Sequence, residues 1–314
     1  MKIAVLNECF LKESHIERLK KFGEVAIYND TDTEEKAIER LSDVEVAIAD
    51  CFVSPLNKRV LSSAKSLKYI SINSIGFDLV DLQAAKEHGI LISNIPGYSS
   101  EAVAEHAIAL MFAVVRNLVQ MDKKVREKPY EIDPADKSQL PFLGFNLQGK
   151  TLGVIGLGSI GTRVAEIGNG IGMRVIAYNR SAKSIPNVEM VTLDKLLSDS
   201  DVVSLHTPLN SESESMLGIA QLKTMKNHAV LVNTARGKIV DTQALYNALK
   251  DGVIAGAGLD TLSEWDKSNP LLTLENTVIT PHGAWYTKES FENLAEMVTA
   301  NVEAYTNGEP INLI

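Results

Sequence analysis

Short apolar, β-branched runs alternate along this chain with stretches of helical periodicity. Ile3–Leu6, Val25–Tyr28, Val44–Ala49, Tyr69–Ile72 and Leu91–Asn94 form one series of strand-sized runs. Thr151–Ile155, Arg174–Tyr178, Val202–His206, Ala229–Asn233, Ala255–Asp260 and Thr277–Thr280 form a second. Strands separated by helix-length intervals predict βαβ units and parallel sheets, and two series predict two α/β domains. Between them, Val103, Ala107, Leu110, Met111, Val114, Val115 and Leu118 recur every three or four residues, predicting one helix from about Ser100 to Leu118. Ser99 or Ser100 can cap it, and Glu101 and Glu105 suit its first turn. From Glu127 to Gly149 the periodicity is lost and Pro129, Pro134, Pro141 and Gly144 collect, the pattern of a subunit-contacting excursion or of a plain surface loop. After Pro281 comes a last helix with Phe291, Leu294, Ala295, Val298, Val302 and Tyr305 on one face. No sheet follows it, so it has to pack on something already built, and the first domain is the candidate.

Composition narrows the function classes. The 314 residues, 45% hydrophobic and 23% charged, suffice for two sizeable cores. A net charge of −9 excludes a general nucleic-acid or anionic-membrane surface, because polyanion binding needs clustered Lys and Arg. Cys9 and Cys51 are too few for a disulfide framework and lack metal-ligand spacing, so no metal is expected and a reducing cytoplasm fits. The N-terminal apolar run meets Glu8 at once and is no signal sequence. Ala102–Val115, the most apolar stretch, carries Glu105 and His106 and is too short to span a membrane. It reads as a buried helix.

The first chemical signal is Gly156-x-Gly158-x-x-Gly161, directly after an apolar strand and at the start of a helical pattern. In that context Gly156 permits a tight turn, Gly158 lets a pyrophosphate approach the backbone, and Gly161 lets the helix pack closely. Ser159 and Ile160 begin the helix, whose N-terminal N–H groups suit phosphates. The next strand ends at Asn179 rather than at the carboxylate that usually binds the adenosine ribose of NAD. With Arg180, Ser181 and Lys183 beside it, the cluster favours the 2′-phosphate of NADP(H) over NAD(H). Asn179 can still bond a ribose hydroxyl, and Arg180 can simply point to solvent.

Three later strands end in polar residues, where ligands of a doubly wound sheet collect. The endings are Asn233-Thr234-Ala235-Arg236-Gly237, Gly258-Leu259-Asp260 and Thr280-Pro281-His282-Gly283-Ala284-Trp285. Together with the glycine loop they resemble the D-isomer-specific 2-hydroxyacid dehydrogenase family, in particular its glycerate dehydrogenases and glyoxylate/hydroxypyruvate reductases. The resemblance covers nearly the whole chain. It includes Ser74-Ile75-Gly76-Phe77-Asp78, Asn94-Ile95-Pro96-Gly97-Tyr98, Val103-Ala104-Glu105-His106 and Leu205-His206-Thr207-Pro208-Leu209. It implies two doubly wound parallel-sheet domains: a flavodoxin-like substrate domain from residues 1–98 and 283–314, and a Rossmann cofactor domain from 99–282. It also implies a homodimer, and hydride exchange between NAD(P)H and a small 2-oxo or 2-hydroxy acid of the glyoxylate, hydroxypyruvate or pyruvate class.

That reaction needs a cation for the carboxylate and a proton for the carbonyl oxygen. Arg236 supplies the planar fork that holds an acid, although a structural ion pair is its alternative. His282 is the proton donor in reduction, since an imidazole titrates closest to working pH. Of six histidines, His15 and His88 sit in helical contexts that look exposed, and the resemblance puts His206, with Thr207 and Pro208, near the cofactor. The family's orienting glutamate would fall at Trp265; Glu264 and Asp266 flank it, and a shortened loop makes Glu264 the choice. Thr234 and Ala235 go to the cofactor and Asp260 to its nicotinamide side, with a helix cap or a loop anchor as the alternative for Asp260. Ser74, Ile75 and Gly76 offer backbone N–H groups to the substrate carboxylate, or form an ordinary strand-to-helix turn. Phe52 and Trp285 shape the pocket. The rival from another class is a nucleotide-sensing binding protein, like the corepressors built on this fold; formate and phosphite dehydrogenases are further readings within it.

Overall fold

The computed structural model describes residues 1–7, 9–127, 143–181 and 183–314. The chain divides into two compact units, Met1–Ser99 with Tyr286–Ile314, and Ser100–Trp285.

In the first unit, β1 (Lys2–Leu6), β2 (Glu24–Tyr28), β3 (Val46–Ala49), β4 (Tyr69–Ile72) and β5 (Leu91–Ser93) alternate with α1 (Glu13–Lys20), α2 (Glu34–Leu41), α3 (Lys58–Ser63) and α4 (Leu82–Glu87). The five strands are parallel in the order β2-β1-β3-β4-β5, the flavodoxin-like arrangement. β3 and β4 are buried at every position, which is why they read as continuous apolar runs rather than alternating ones. The last helix, Lys288–Thr306, buries Leu294, Ala295, Val298 and Val302 in this unit. Tyr305 stacks on Tyr69 of β4 with ring centroids 4.2 Å apart. Inside the packing, the Asn301 amide donates to Ser71 Oγ at 3.2 Å and to the Asn94 carbonyl at 2.9 Å.

The second unit opens with α5 (Ser100–Val115) and α6 (Leu118–Glu127). Its sheet follows as β6 (Thr151–Ile155), α7 (Ser159–Gly170), β7 (Arg174–Tyr178), β8 (Val188–Met190), α8 (Leu193–Asp199), β9 (Val202–Leu205), α9 (Ile219–Leu222), β10 (Val230–Asn233), α10 (Thr242–Lys250), β11 (Gly256–Leu259) and β12 (Thr277–Ile279). In chain order the Lys288–Thr306 helix is therefore α11. All seven strands are parallel, in the order β12-β11-β10-β9-β6-β7-β8. Strand order reverses between β6 and β9, where a doubly wound sheet opens a crevice at its carboxyl edge.

Two expectations need correction, and one strand was not foreseen. The helix expected to reach Leu118 stops at Val115, because Asn117 takes a left-handed backbone (φ 50°), and α6 departs at 60°. β8 carries no apolar alternation, being a three-residue edge strand with two of its three residues exposed. His15 is buried rather than exposed: its Nδ1 accepts the Lys12 N–H at 3.1 Å at the start of α1, and its Nε2 lies 3.5 Å from Glu296. Most of the excursion expected between 127 and 149, residues 128–142, lies outside the described residues. Among the described residues no single helix is long and apolar enough to cross a membrane.

At the amino edge of the second sheet, Asp201 is 4% exposed and ties three segments together. It accepts from the Thr151 N–H at 2.8 Å, Lys226 Nζ at 3.0 Å and His228 Nε2 at 2.8 Å. Burial alone would raise its pKa, but these bonds and the Lys226 charge outweigh burial and hold it below the ordinary 3.8. Its stabilisation is therefore complete above that value and lost as pH falls through the depressed one. Thermal melts from pH 5 downward should show wild type losing midpoint temperature more steeply than Asp201→Asn; parallel curves would contradict the assignment.

Candidate active site

The glycine loop follows β6 at the switch point. Gly156 has φ 93°, a conformation that side chains disfavour, and an added Cβ would lie 2.6 Å from the His206 carbonyl oxygen. A Cβ on Gly161 would lie 1.9 Å from the Gly156 oxygen, so the turn and α7 close on each other without space for one. A Cβ on Gly158 would meet nothing within 4 Å, which leaves open space in front of the α7 N-terminus. Gly158 itself is the N-cap and offers no side chain to the first-turn N–H groups. These features fit a pyrophosphate.

The end of β7 holds this loop in place. Asn179 Oδ1 accepts the Leu157 N–H at 3.0 Å, while its amide donates to the Ser181 carbonyl at 2.8 Å and to Ser181 Oγ at 3.1 Å. Lys183 Nζ donates to the Leu157 carbonyl. Arg180 points outward, 77% exposed, and pairs with Glu212 at 3.0 Å. The Ser159 hydroxyl accepts from Ser100 Oγ at 2.8 Å. Past β9, burial pushes the His206 imidazole down to about 3, so it stays neutral, with Nε2 2.8 Å from Ser204 Oγ. Thr207 is half-buried and Pro208 exposed.

After β10, Asn233 shapes the next loop from inside. It is 1% exposed, accepts the Ala235 N–H at 3.0 Å and donates to the Arg236 carbonyl at 2.9 Å. Arg236 is half-buried, and one guanidinium nitrogen donates to the Ala235 carbonyl at 2.9 Å. Gly237 permits a close crossing, since a Cβ there would sit 2.1 Å from the Leu262 carbonyl carbon and 2.2 Å from the Ser263 nitrogen. Thr234 is 8% exposed, and its hydroxyl is buried with no partner among the described residues.

The third ending is organised by Asp260, whose residue is 0% exposed. Its Oδ1 accepts from Thr280 Oγ1 at 2.6 Å and from the Gly283 N–H at 2.9 Å, and its Oδ2 accepts the Ala284 N–H at 3.0 Å. Its carbonyl accepts the His282 N–H at 3.0 Å. His282 is half-buried with φ 55°, an uncommon backbone for histidine that persists only when its neighbours over-determine it. The carboxylate thus anchors the loop, the alternative raised for Asp260 above. Trp285, next on the loop, is half-buried.

Glu264, Trp265 and Asp266 are all exposed. The Asp266 carboxylate accepts the Ser268 N–H at 2.7 Å, closing its own turn, whereas at Glu264 it is the backbone carbonyl that is engaged, by Asn269 at 2.9 Å. In the first unit Ser74 is buried, and its hydroxyl donates to the Gly76 carbonyl at 2.6 Å and lies 3.1 Å from Cys51 Sγ. Asn94 donates to the Ile75 carbonyl at 2.9 Å, and Phe52 is 48% exposed.

One group escaped sequence reading. His106 of α5 places Nε2 2.9 Å from Thr280 Oγ1 and 3.6 Å from Asp260 Oδ1. Its signal was a histidine inside an otherwise apolar helix face.

Residues 108–284 match the model of the D-isomer specific 2-hydroxyacid dehydrogenase NAD binding domain. The chain belongs to the D-isomer specific 2-hydroxyacid dehydrogenase family. It is an oxidoreductase built on that family's nicotinamide-dinucleotide domain. A glyoxylate reductase of Thermococcus litoralis is 38% identical to it over 97% of this chain and 94% of the relative. A glycerate dehydrogenase of Methylorubrum extorquens is 38% identical over 91% and 90%. Among solved structures, an acyclic imino acid reductase in complex with NADPH and D-Arg is similar over the full length of both chains, with 38% identity and a TM-score of 0.92.

Replacing Asp260 by Asn should cost about 1–3 kcal/mol in chemical denaturation, because an amide NH2 would face one of the donors that the carboxylate now accepts. Unchanged stability would show that these bonds do not hold the loop.

Proposed function

We propose that the chain reduces a small 2-oxo acid of the glyoxylate, hydroxypyruvate or pyruvate class to the 2-hydroxy acid, the D-isomer wherever C2 becomes chiral. The observation that carries this reading is that the glycine loop, the Asn233-pinned loop of Arg236 and the Asp260-pinned loop of His282 all leave the carboxyl edge of one parallel sheet. The dinucleotide, when bound, supplies the hydride. Gly156, Gly158, Ser159, Ile160 and Gly161 hold its pyrophosphate; His206, Thr207, Pro208, Thr234 and Ala235 line the rest of its site, with Asp260 acting on that side through its loop. Arg236 grips the substrate carboxylate and polarises the carbonyl. His282 gives its proton to the carbonyl oxygen. Glu264 orients that imidazole, a choice supported by the engagement of Asp266 with Ser268. Trp285 limits the substrate's side group.

NADPH is the preferred donor in this reading. The β7 end presents no carboxylate to repel a 2′-phosphate, and the Arg180–Glu212 pair is exposed, so exchanging Glu212 for a phosphate costs little. The relative solved with NADPH supports it. A homodimer is supported by the exposed Phe112, Leu118, Val119 and Val125 along α5 and α6. A reducing cytoplasm is supported by Cys9 and Cys51, both buried thiols outside any disulfide. A second reading, reduction of the imine formed from a 2-oxo acid and an amine, is favoured by the similarity to the imino acid reductase. It uses the same hydride and the same arginine.

Absorbance at 340 nm tests both readings, with NADPH or NADH against glyoxylate, hydroxypyruvate, pyruvate and phenylpyruvate, each alone and with ammonia or methylamine. Turnover that needs the amine selects the imine, and oxidation of neither cofactor favours a nucleotide sensor. His282→Ala should lower kcat by roughly 10²–10⁴ with cofactor affinity nearly intact. An unchanged rate would remove His282 from the chemistry. Arg180→Ala should weaken NADPH binding and spare NADH, and equal losses in a fluorescence titration would refute the phosphate contact.

A further inference from the structure

Helix α5 lies along strand β11 with an unusual closeness. A Cβ on Gly258 would come 2.9 Å from Leu110 Cβ, and one on Gly256 would come 2.7 Å from Val114 Cγ1. His106, Leu110 and Val114 are spaced by four and share one helix face. Asp260, Gly258 and Gly256 are spaced by two and share one side of the sheet. Four residues of helix rise about 6 Å and two residues of strand about 6.6 Å, so the two rows run in step. The helix and the strand run in opposite senses through these pairs, and His106 arrives opposite Asp260.

The hydrogen bonds there have one consistent direction. The Thr280 hydroxyl has a single proton, and at 2.6 Å it goes to Asp260 Oδ1. The Thr280 oxygen must then accept at 2.9 Å from His106, which fixes the proton on Nε2. Two donors thus act in series, His106 from α5 on Thr280 and Thr280 on Asp260. The same carboxylate accepts the N–H groups of Gly283 and Ala284, and the carbonyl of Asp260 accepts that of His282. The backbone on either side of the left-handed His282 is therefore set by a chain of bonds that starts on α5.

We propose that His106, acting through Thr280 and the carboxylate of Asp260, is a positioning residue for the imidazole of His282. This rests on the reading of His282 as the proton donor. The relay holds the loop in the one backbone geometry that presents the ring, and without it the loop relaxes from the left-handed conformation while the dinucleotide loop after β6 is untouched.

The test pairs variants that delete a donor with variants that keep it, in the full-length protein. Thr280→Val and His106→Leu delete one, whereas Thr280→Ser and His106→Gln keep a donor at the same place. Kinetics with NADPH and the best substrate of the panel should show kcat at least tenfold lower in the deleting pair, and KM and cofactor Kd within about threefold of wild type. The conservative pair should recover at least half of wild-type kcat. Amide hydrogen–deuterium exchange at Gly283 and Ala284, which needs no activity, should be at least tenfold faster in the deleting pair. Unchanged exchange overturns the relay, and faster exchange with full kcat overturns the positioning role. Equal losses in the conservative and deleting variants also overturn it, since they would show that packing rather than the donated proton matters. If His282→Ala keeps full turnover, the assignment of His282 as proton donor fails, and the exchange data still decide the relay.

Discussion

The second unit depends on a carboxylate removed from water. Burying such a group costs several kcal/mol unless hydrogen bonds replace its hydration, and Asp260 recovers them from the loop that carries His282. Thr280, Gly283 and Ala284 donate to it, so this loop cannot relax without leaving an acceptor buried and unsatisfied. The left-handed backbone at His282 is held by that penalty.

The same logic recurs at the neighbouring strand ends. Asn233 closes the loop of Arg236 with one accepted and one donated bond, and Asn179 does likewise for the glycine loop. Each is a short polar side chain at the carboxyl end of its strand, bonding backbone a few residues along its own loop or on the next one. Arg236 and the glycine loop are thereby carried on backbone that a different side chain has already shaped.

The parts of this arrangement legible in the sequence are those with a local cause. Continuous apolar runs marked strands buried on both faces, as at β3, β4 and β10, and glycine spacing marked the turn after β6. What stayed hidden was long-range. Asn117 ends α5 although the apolar period runs on to Leu118, because a left-handed residue interrupts a helix whatever its neighbours' hydropathy. β8 pairs only at an edge and needs no apolar face. His15 looked like a solvent-facing helical residue, but its ring caps α1 and meets Glu296 of α11, far away in sequence. His106 was masked by the apolar helix around it, since nothing local shows that Thr280 will arrive at its ring.

Asn179 carries a consequence for how cofactor choice can change in such a protein. Its two ends are both occupied, the oxygen by the backbone of Leu157 and the amide by Ser181. An acidic replacement, the simplest route toward ribose recognition, would keep an acceptor for Leu157 but turn the Ser181 carbonyl into a like-polarity neighbour. In the proposed NADPH reading, nucleotide choice and loop integrity therefore meet in one side chain, and an acidic replacement there calls for compensating changes at 181 or 183.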